Sequence, residues 1–312
     1  MAQHFLSKIN LSIIIVSYNT QKYTLDCLSS VFKSIHFGKL DKSTEVIVVD
    51  NASTDGTMSA IQKIYPVKVT LIRNATNTGF AAANNQGIRR AKGEFLLLLN
   101  SDTKIREDTL IATLNRIKKN SKIGVLGCKL NNPNGSLQPS FGYLPRLSRI
   151  LMWMFFLDDV PLLSSTIHPY HVTDSRLYSD ERQVGWVTGA FFLFRTSVLK
   201  VAGYLDENIF MYGEEVDLCY RIVKSGFNVL YTPVTTIIHH KGASSLRSEA
   251  GIVDEFKSMV YLFSKHKPSW ELPLLRTVLS CGALLRIILF GIIGRYEKRI
   301  PYYKKALSVV WR

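Results

Sequence analysis

Along its first half the chain alternates short runs of consecutive apolar residues with longer stretches whose apolar positions recur at helical spacing. LSIIIVSYN, from Leu11, is an unbroken run rich in β-branched residues, the pattern of a strand buried on both faces. A helical segment from about Tyr23 to Ile35 follows, then EVIVVD, a second strand that ends on Asp50. NASTDGT is turn chemistry, with Asp55 placed to cap a helix over about Thr57 to Ile64. VKVTLIRN predicts a third strand, GFAAANNQGIRRAKG a helix with a glycine stop, and EFLLLLNSD a fourth strand. Strand–helix alternation of this kind predicts an α/β fold with a mostly parallel central sheet flanked by helices.

From about Asn131 to Gln183 the pattern fades into an aromatic-rich stretch around PRLSRILMWMFF, which reads as a mobile, partly apolar insertion beside the active edge. Alternation resumes with VGWVTGAFFLFR, then GEEVDLCYRIVKSGFNVLYTPVTTIIHH over residues 213–240, and a helix from about Ser248 to Lys265. The tail is apolar but interrupted by Arg276 and Arg286, and turns basic at Arg295, Lys298, Arg299, Lys304 and Lys305. Central arginines disfavour a full membrane span. A helix lying in the membrane interface with its cations at the headgroups is one reading, and a helix docked on the core is the other. The expected organisation is a domain over 1–250 with its insertion at 131–183, and a helical, membrane-associating extension over 251–312.

An apolar content of 46% over 312 residues excludes general disorder. The formal charge of +15 points to polyanionic surroundings, which could be nucleic acid, anionic lipid or phosphorylated substrate. Cys27, Cys128, Cys219 and Cys281 are scattered and form no CxxC pair, as expected of reduced, cytoplasmic thiols. The apolar run Ile13 to Val16 is too short for the core of a signal peptide, so the amino-terminal part is expected to stay in the cytoplasm. SYNTQKYT after the first strand lacks the GxGxxG of a dinucleotide site, and no GxxxxGK[ST] occurs, which excludes a P-loop NTPase.

Sheets of this kind bind ligands beyond the carboxyl ends of their strands. Those ends carry Ser17–Asn19, Asp50–Asn51, Arg73–Asn74 and Asn100–Asp102. Asp50 could bond a base imide or a ribose hydroxyl, or only close an Asx turn. Asp102, at the exit of four leucines, could bind a divalent cation that bridges a diphosphate. The start of NTGFAAANNQG, with Gly79, either leaves backbone N–H groups open to an anion or packs a helix tightly on the sheet. Glu214, Glu215 and Asp217 open an amphipathic run, and His239 and His240 close an apolar one. A general base and a metal site account for both features; so do a capped surface helix and an ordinary strand. On a helix Glu215 and Asp217 diverge by roughly 200°, and Asp217 is spaced to pair with Arg221.

Taken in order, VSYN, VVDNASTDGT, NTGFAAANNQG, LLNSDT, GAFFLFR, FMYGEEVDLCYR and HHKGASS closely resemble a family 2 glycosyltransferase. The likeness is to the bacterial polysaccharide and rhamnosyltransferase-like subgroup with the GT-A fold, and it runs from about Leu11 to Ser245. It implies inverting, metal-dependent transfer from a nucleotide-diphosphate sugar, dTDP-rhamnose or a UDP-sugar, to a glycan or lipid-linked glycan. Asp50 would contact the base, with Ser17 and Tyr18 lining that pocket and Asn19, Asn51, Asn77, Gly79 and Asn84 on the nucleotide side. Asn100-Ser101-Asp102 stands at the family's DXD motif, with Asp102 the metal carboxylate and Asn100 lacking the charge of the usual aspartate. His239 stands where related enzymes supply an imidazole ligand, and Mg2+ or Mn2+ suits such mixed ligation. Glu214-Glu215 takes the place of the ED pair, which makes Glu215 the base. With the tail's apolar and basic residues, the expectation is a peripheral position on the inner face of the cytoplasmic membrane, with an anionic surface as partner and no nucleic acid. The alternatives are a sugar nucleotidyltransferase, whose Gly-rich basic loop SYNTQKYTLD does not supply, and a catalytically dead sugar-nucleotide-binding protein, which only Asn100 favours.

Overall fold

In the computed structural model, which describes residues 9–159, 168–242, 250–294 and 296–312, the first strand, β1 (Leu11–Ser17), is covered on both faces. Leu11, Ile13 and Ile15 join one apolar cluster and Ile14 the other. Successive side chains of a strand point to opposite faces, so a doubly covered strand needs apolar residues throughout. The same division holds in β4 (Phe95–Asn100), where Phe95, Leu97 and Leu99 face one cluster and Leu96 and Leu98 the other. Between these strands come α1 (Gln21–Phe37), β2 (Thr44–Asp50), α2 (Thr57–Ile64), β3 (Val69–Arg73) and α3 (Phe80–Arg90), close to the expected spans. β1 pairs in parallel with β2 and β4, and β2 with β3.

The second half adds β5 (Thr103–Lys104), α4 (Thr109–Lys118), β6 (Ile123–Asn131), β7 (Leu137–Gln138), β8 (Phe141–Gly142) and α5 (Leu147–Met154). Then follow β9 (Arg182–Val184), β10 (Trp186–Val187), β11 (Phe191–Arg195), α6 (Leu199–Ala202), α7 (Glu214–Lys224) and β12 (Asn228–His239). The central sheet runs β3-β2-β1-β4-β11-β6-β12-β5. It is mostly parallel, with β11 inserted antiparallel between β4 and β6. In β12 the register against β6 jumps between Thr232 and Thr236. Pro233 falls in that gap and has no N–H for the ladder, which is where a bulge is tolerated. Beyond the bulge, Ile238 and His239 pair with Lys104 and Thr103 of β5.

The aromatic-rich stretch is packed, contrary to the expectation of a mobile insertion. Phe141, Ile150, Met154, Tyr170, Val172 and Tyr178 are all buried in the larger apolar cluster. Residues 160–167 of this stretch, and 243–245 of HHKGASS, lie outside the described residues.

The helix expected from Ser248 is α8 (Ala250–His266), with 248–249 outside the described residues. After it come α9 (Glu271–Ile293) and α10 (Ile300–Val310). Among the described residues α9 is the one helix long and apolar enough to cross a membrane, with a mean hydropathy of 1.8. It is nevertheless docked. Leu275, Leu279, Gly282, Ala283, Arg286 and Phe290 are buried, while Leu274, Leu284, Ile288 and Ile292 of the same helix are exposed. Arg286 does not reach toward a headgroup. Its guanidinium donates to the carbonyls of Trp153, at 2.6 Å, and Met154, and lies 4.3 Å from the Phe156 ring centroid. It thus caps the end of α5 from inside the tail.

Removal of this cation strands the Met154 carbonyl, at a penalty of about 1–3 kcal/mol, leaves the Trp153 carbonyl with only the Phe156 N–H, and removes the contact with the Phe156 ring. Arg286→Ala is therefore expected to lower stability by about 3 kcal/mol, read from the midpoint of urea unfolding in the absence of lipid. An unchanged midpoint would mean that this arginine serves a surface outside the fold.

Candidate active site

The parallel register sets the polar strand ends level. Ser17 pairs with Asp50, Asp50 with Arg73, and Val16 with Asn100. Asp50 is fully buried. Its Oδ2 accepts the Ser53 N–H at 3.1 Å, so the Asx-type turn exists, while its Oδ1 is buried without a partner. Ser17 is also buried and turns inward, with its hydroxyl 3.0 Å from that of Thr20 and 2.8 Å from that of Thr24. Thr20 in turn meets the hydroxyl of Ser101 at 3.1 Å. Tyr18 is half-buried and Asn19 exposed at the rim. The Asn19 side chain accepts the Thr54 N–H at 2.8 Å, tying the first strand end to the second.

Asp55 braces the same region. It accepts the N–H of Gln21 at 2.8 Å and of Thr57 at 3.1 Å, so one carboxylate serves the start of both α1 and α2. Burial opposes its charge, but the bonds from Thr57 and Gln21 prevail and lower its pKa.

Asn51, Asn77 and Gly79 shape the loop before α3. The Asn51 amide donates to Asn77 Oδ1 at 2.8 Å, and its Oδ1 accepts from Asn74, and from the N–H of Thr78 at 3.0 Å. Gly79 has φ of 87°, and a Cβ there would come within 2.8 Å of the Phe210 carbonyl. That carbonyl takes the N–H of Phe80 at 2.7 Å, and Asn77 Oδ1 takes that of Gly79 at 3.0 Å. These two N–H groups are therefore engaged within the protein, and α3 packs tightly on the sheet through Ala81 and Ala83. Asn84 is buried and donates to the Phe80 carbonyl at 2.9 Å.

Asp102 and His239 are far apart in the chain and meet through the β5–β12 pairing. His239 Nε2 lies 3.2 Å from Asp102 Oδ1 and 3.3 Å from Asn100 Nδ2. Both Asp102 and His239 are buried. The other ring nitrogen, Nδ1, lies 2.6 Å from Gln138 Oε1. Gln138 Nε2 donates to Asn132 Oδ1 and to the His239 carbonyl, which fixes the amide orientation. Nδ1 therefore donates to Gln138, and Nε2 faces the Asp102 carboxylate. An imidazole nitrogen and a carboxylate side by side are ligand types that a divalent cation takes, and Asn100 Oδ1, buried without a partner, adds a further acceptor on the same strand end. Among the described residues there is no group of three or more His, Cys, Asp or Glu placed to hold a metal. A divalent ion here would therefore draw further ligands from a bound diphosphate. Gln138 carries no sequence signal for this role, since it lies where the periodicity fades. His240 points elsewhere, and its ring centroid is 4.9 Å from that of Tyr23.

The acids at the start of α7 divide. Tyr212 and Gly213, with φ of 64° and 103°, turn the chain into the helix. A Cβ on Gly213 would lie 2.8 Å from Ser258 Cβ, so α8 packs directly against this turn. Glu214 and Glu215 line a small recess with Phe80, Leu98, Gly189 and Phe192. Burial, then the adjacent Glu215, pushes the Glu214 carboxyl well above its ordinary range, and Oε2 has no partner. Burial also raises Glu215, whose Oε2 accepts the Gly213 N–H at 3.0 Å. Asp217 is closed in by Arg221 Nη2 at 2.6 Å, Lys265 at 2.9 Å and His266 Nε2 at 2.6 Å. Burial opposes its charge, but Arg221, His266 and Lys265 overcome this and lower its pKa. Its carboxylate thus ties α7 to α8.

The chain is similar to several known proteins. The model of glycosyl transferase family 2 matches residues 12–202. The N-acetylglucosaminyl-diphospho-decaprenol L-rhamnosyltransferase of Mycobacterium tuberculosis is 30% identical over 257 residues, 78% of this chain and 82% of that protein. The low-salt glycan biosynthesis hexosyltransferase Agl10 of Haloferax volcanii is 24% identical over 319 residues, 96% of this chain and 89% of its own. Among solved structures, the mannosyltransferase PcManGT from Pyrobaculum calidifontis, in complex with GDP-Man and Mn2+, has a TM-score of 0.60 at 17% identity. It covers 97% of this chain with 87% of its own, a likeness of GT-A fold. The chain belongs to glycosyl transferase family 2 and is a glycosyltransferase.

The raised Glu214 has a definite sign. An acid whose folded pKa lies above its unfolded value leaves stability intact at low pH and reduces it as pH rises past about 4.3. Glu214→Gln removes the ionisation and is expected to melt about 3 °C above the parent at pH 8 and at the same temperature at pH 4. Equal melting at both values would show that Glu214 carries no such penalty.

Proposed function

We propose that this family 2 glycosyltransferase is an inverting, divalent-metal-dependent enzyme, and that it moves a sugar, rhamnose for preference, from a nucleotide-diphosphate donor to a lipid-linked glycan of a cell-surface polysaccharide. The observation that carries the reading is a set of buried acceptor atoms along one sheet edge. Asp50 Oδ1, Asn100 Oδ1 and Glu214 Oε2 lack partners there, and the Asp102–His239 pair stands among them. Buried acceptors without donors are costly, and a ligand with an imide N–H, a cation and hydroxyl groups would satisfy them. Asp50 would accept from the base, with Tyr18 at the pocket rim. Asp102 and His239 would hold Mg2+ or Mn2+, with Gln138 keeping the imidazole lone pair in place. When bound, such an ion neutralises charge on the departing diphosphate.

Glu215 would take the acceptor proton as the acceptor oxygen bonds the anomeric carbon and the bond from that carbon to the diphosphate oxygen breaks. A raised pKa suits a base working near neutral pH. Glu214, the more strongly raised neighbour, would hold a proton and keep the pair from carrying two charges. The rhamnose donor and lipid-diphosphate acceptor are supported by the name of the mycobacterial relative. Placement on the inner face of the cytoplasmic membrane is supported by the exposed apolar face of α9 and the net charge of +15.

Two outcomes follow from this reading. Asp102→Ala is expected to abolish turnover nearly completely, and Gln138→Ala to weaken Mn2+ binding by roughly 10–100-fold, measured by metal titration in the presence of a nucleoside diphosphate. His240→Ala should leave turnover largely intact. Full turnover in excess EDTA would remove the metal from the scheme.

Glu215→Gln is expected to lower the single-turnover rate by roughly 10²–10⁴ with donor affinity unchanged. Asp217→Asn should instead lower the unfolding midpoint while retaining turnover at low temperature. An active Glu215→Gln beside a folded but inactive Asp217→Asn would transfer the base assignment.

A further inference from the structure

A second cleft, of about 460 Å3, opens away from the polar strand ends. Lys224 on its wall closes the helix that Glu214 opens, which is about 15 Å of helix. Val184 on its floor pairs with Val229, and His239 lies at the other end of that strand, about 30 Å on. Arg146, Arg149, Lys224 and Lys267 line the cleft with Tyr143 and Tyr220, and no carboxylate does. None of these four cations is ion-paired among the described residues, whereas Arg221 of α7 and Lys265 of α8 are paired with Asp217.

The cations are held in place. Arg149 lies 5.5 Å from the Tyr143 ring centroid and donates to the Leu144 carbonyl at 2.7 Å; Lys267 lies 5.0 Å from the Tyr220 ring. Cations over ring faces are stabilised there without being neutralised. Burial, then repulsion by Arg146, lowers the pKa of Arg149; Lys267 is lowered by burial and by both arginines, with Glu271 opposing. Four like charges brought together in this way fit a ligand of concentrated negative charge.

We propose that this cleft binds a phosphate group, as a phosphomonoester or a diphosphate, at a second site separate from the donor site. Guanidinium groups match phosphate oxygens in pairs, and lysines add point charge. The group could come from a soluble phosphorylated compound or from a lipid headgroup. Lys267 stands just before Trp270 and Leu274, both exposed at the start of α9, so a headgroup could sit in the cleft with its chains on that apolar face.

The test uses the full chain in EDTA, which removes metal-assisted binding at the strand ends, and inorganic diphosphate as the calorimetric probe. Arg146 and Lys224 are exposed, so Arg146→Gln/Lys224→Gln should fold, which its melting curve verifies. The variant is expected to bind diphosphate at least about tenfold more weakly than the parent. A parallel arm measures retention on phosphatidylcholine vesicles with and without phosphatidic acid. Loss of acid-dependent retention in the variant without diphosphate binding by the parent assigns the site to a headgroup; loss of diphosphate binding assigns it to soluble phosphate. If the parent binds neither probe, or the variant matches the parent on both, the proposal is overturned.

Discussion

The site depends on one constraint, the level pairing of β1 with β2 on one side and β4 on the other. Each of these strands is covered on both faces, and a slip of one residue would exchange the faces of every side chain on it. The register is therefore held by the apolar interior, and the interior in turn sets Ser17, Asp50 and Asn100 at one height. β11 extends the row, because the Ala190 carbonyl accepts the Asn100 N–H at 3.2 Å. That bond brings Gly189, and the recess lined by Glu214 and Glu215, to the same edge.

What the interior positions there is unfavourable in isolation. Adjacent acids, one buried and one half-buried, have raised pKa values, partnerless acceptors face the edge, and two left-handed residues precede α7. Features of this kind persist only where the surroundings over-determine them. The surroundings here are largely α8. It packs on Gly213 through Ser258, clamps Asp217 with Lys265 and His266, and pairs Glu255 with His171 at 2.8 Å. Asp217 is thus a structural member of the acidic trio, paired with Arg221 as its spacing allows and held in addition by α8. Its cationic neighbours make ionisation favourable, whereas at Glu214 and Glu215 burial prevails over the backbone N–H bonds.

The positive charge is organised in a comparable way. Cations near the acids are paired and brace helices, as Arg221 and Lys265 do. Arg286, inside the apolar tail, is used to hold the end of α5. Four other cations, Arg146, Arg149, Lys224 and Lys267, line the cleft beside the start of α9 without a carboxylate among them. Positive charge thus serves packing at some positions, and at this cleft it is left available to a ligand.

The α/β class, the parallel strands, the polar strand ends and the family were legible in the sequence, because each is written in local order. An unbroken apolar run states that a strand is covered twice, and the residue that ends it must sit at the sheet edge. Motif order carried the family for the same reason. Contacts between distant segments were not legible. The Gln138 bond to His239, the burial of Arg286 and the clamp on Asp217 join residues from separate elements, and nothing in the local pattern of PRLSRILMWMFF or of the tail distinguishes a loose segment from a packed one. Both the bulge at Pro233 and the two-residue β5 were needed to bring His239 to Asp102. The tertiary structure decided these matters because side-chain partners are chosen by distance in space, which the spacing along a chain does not encode.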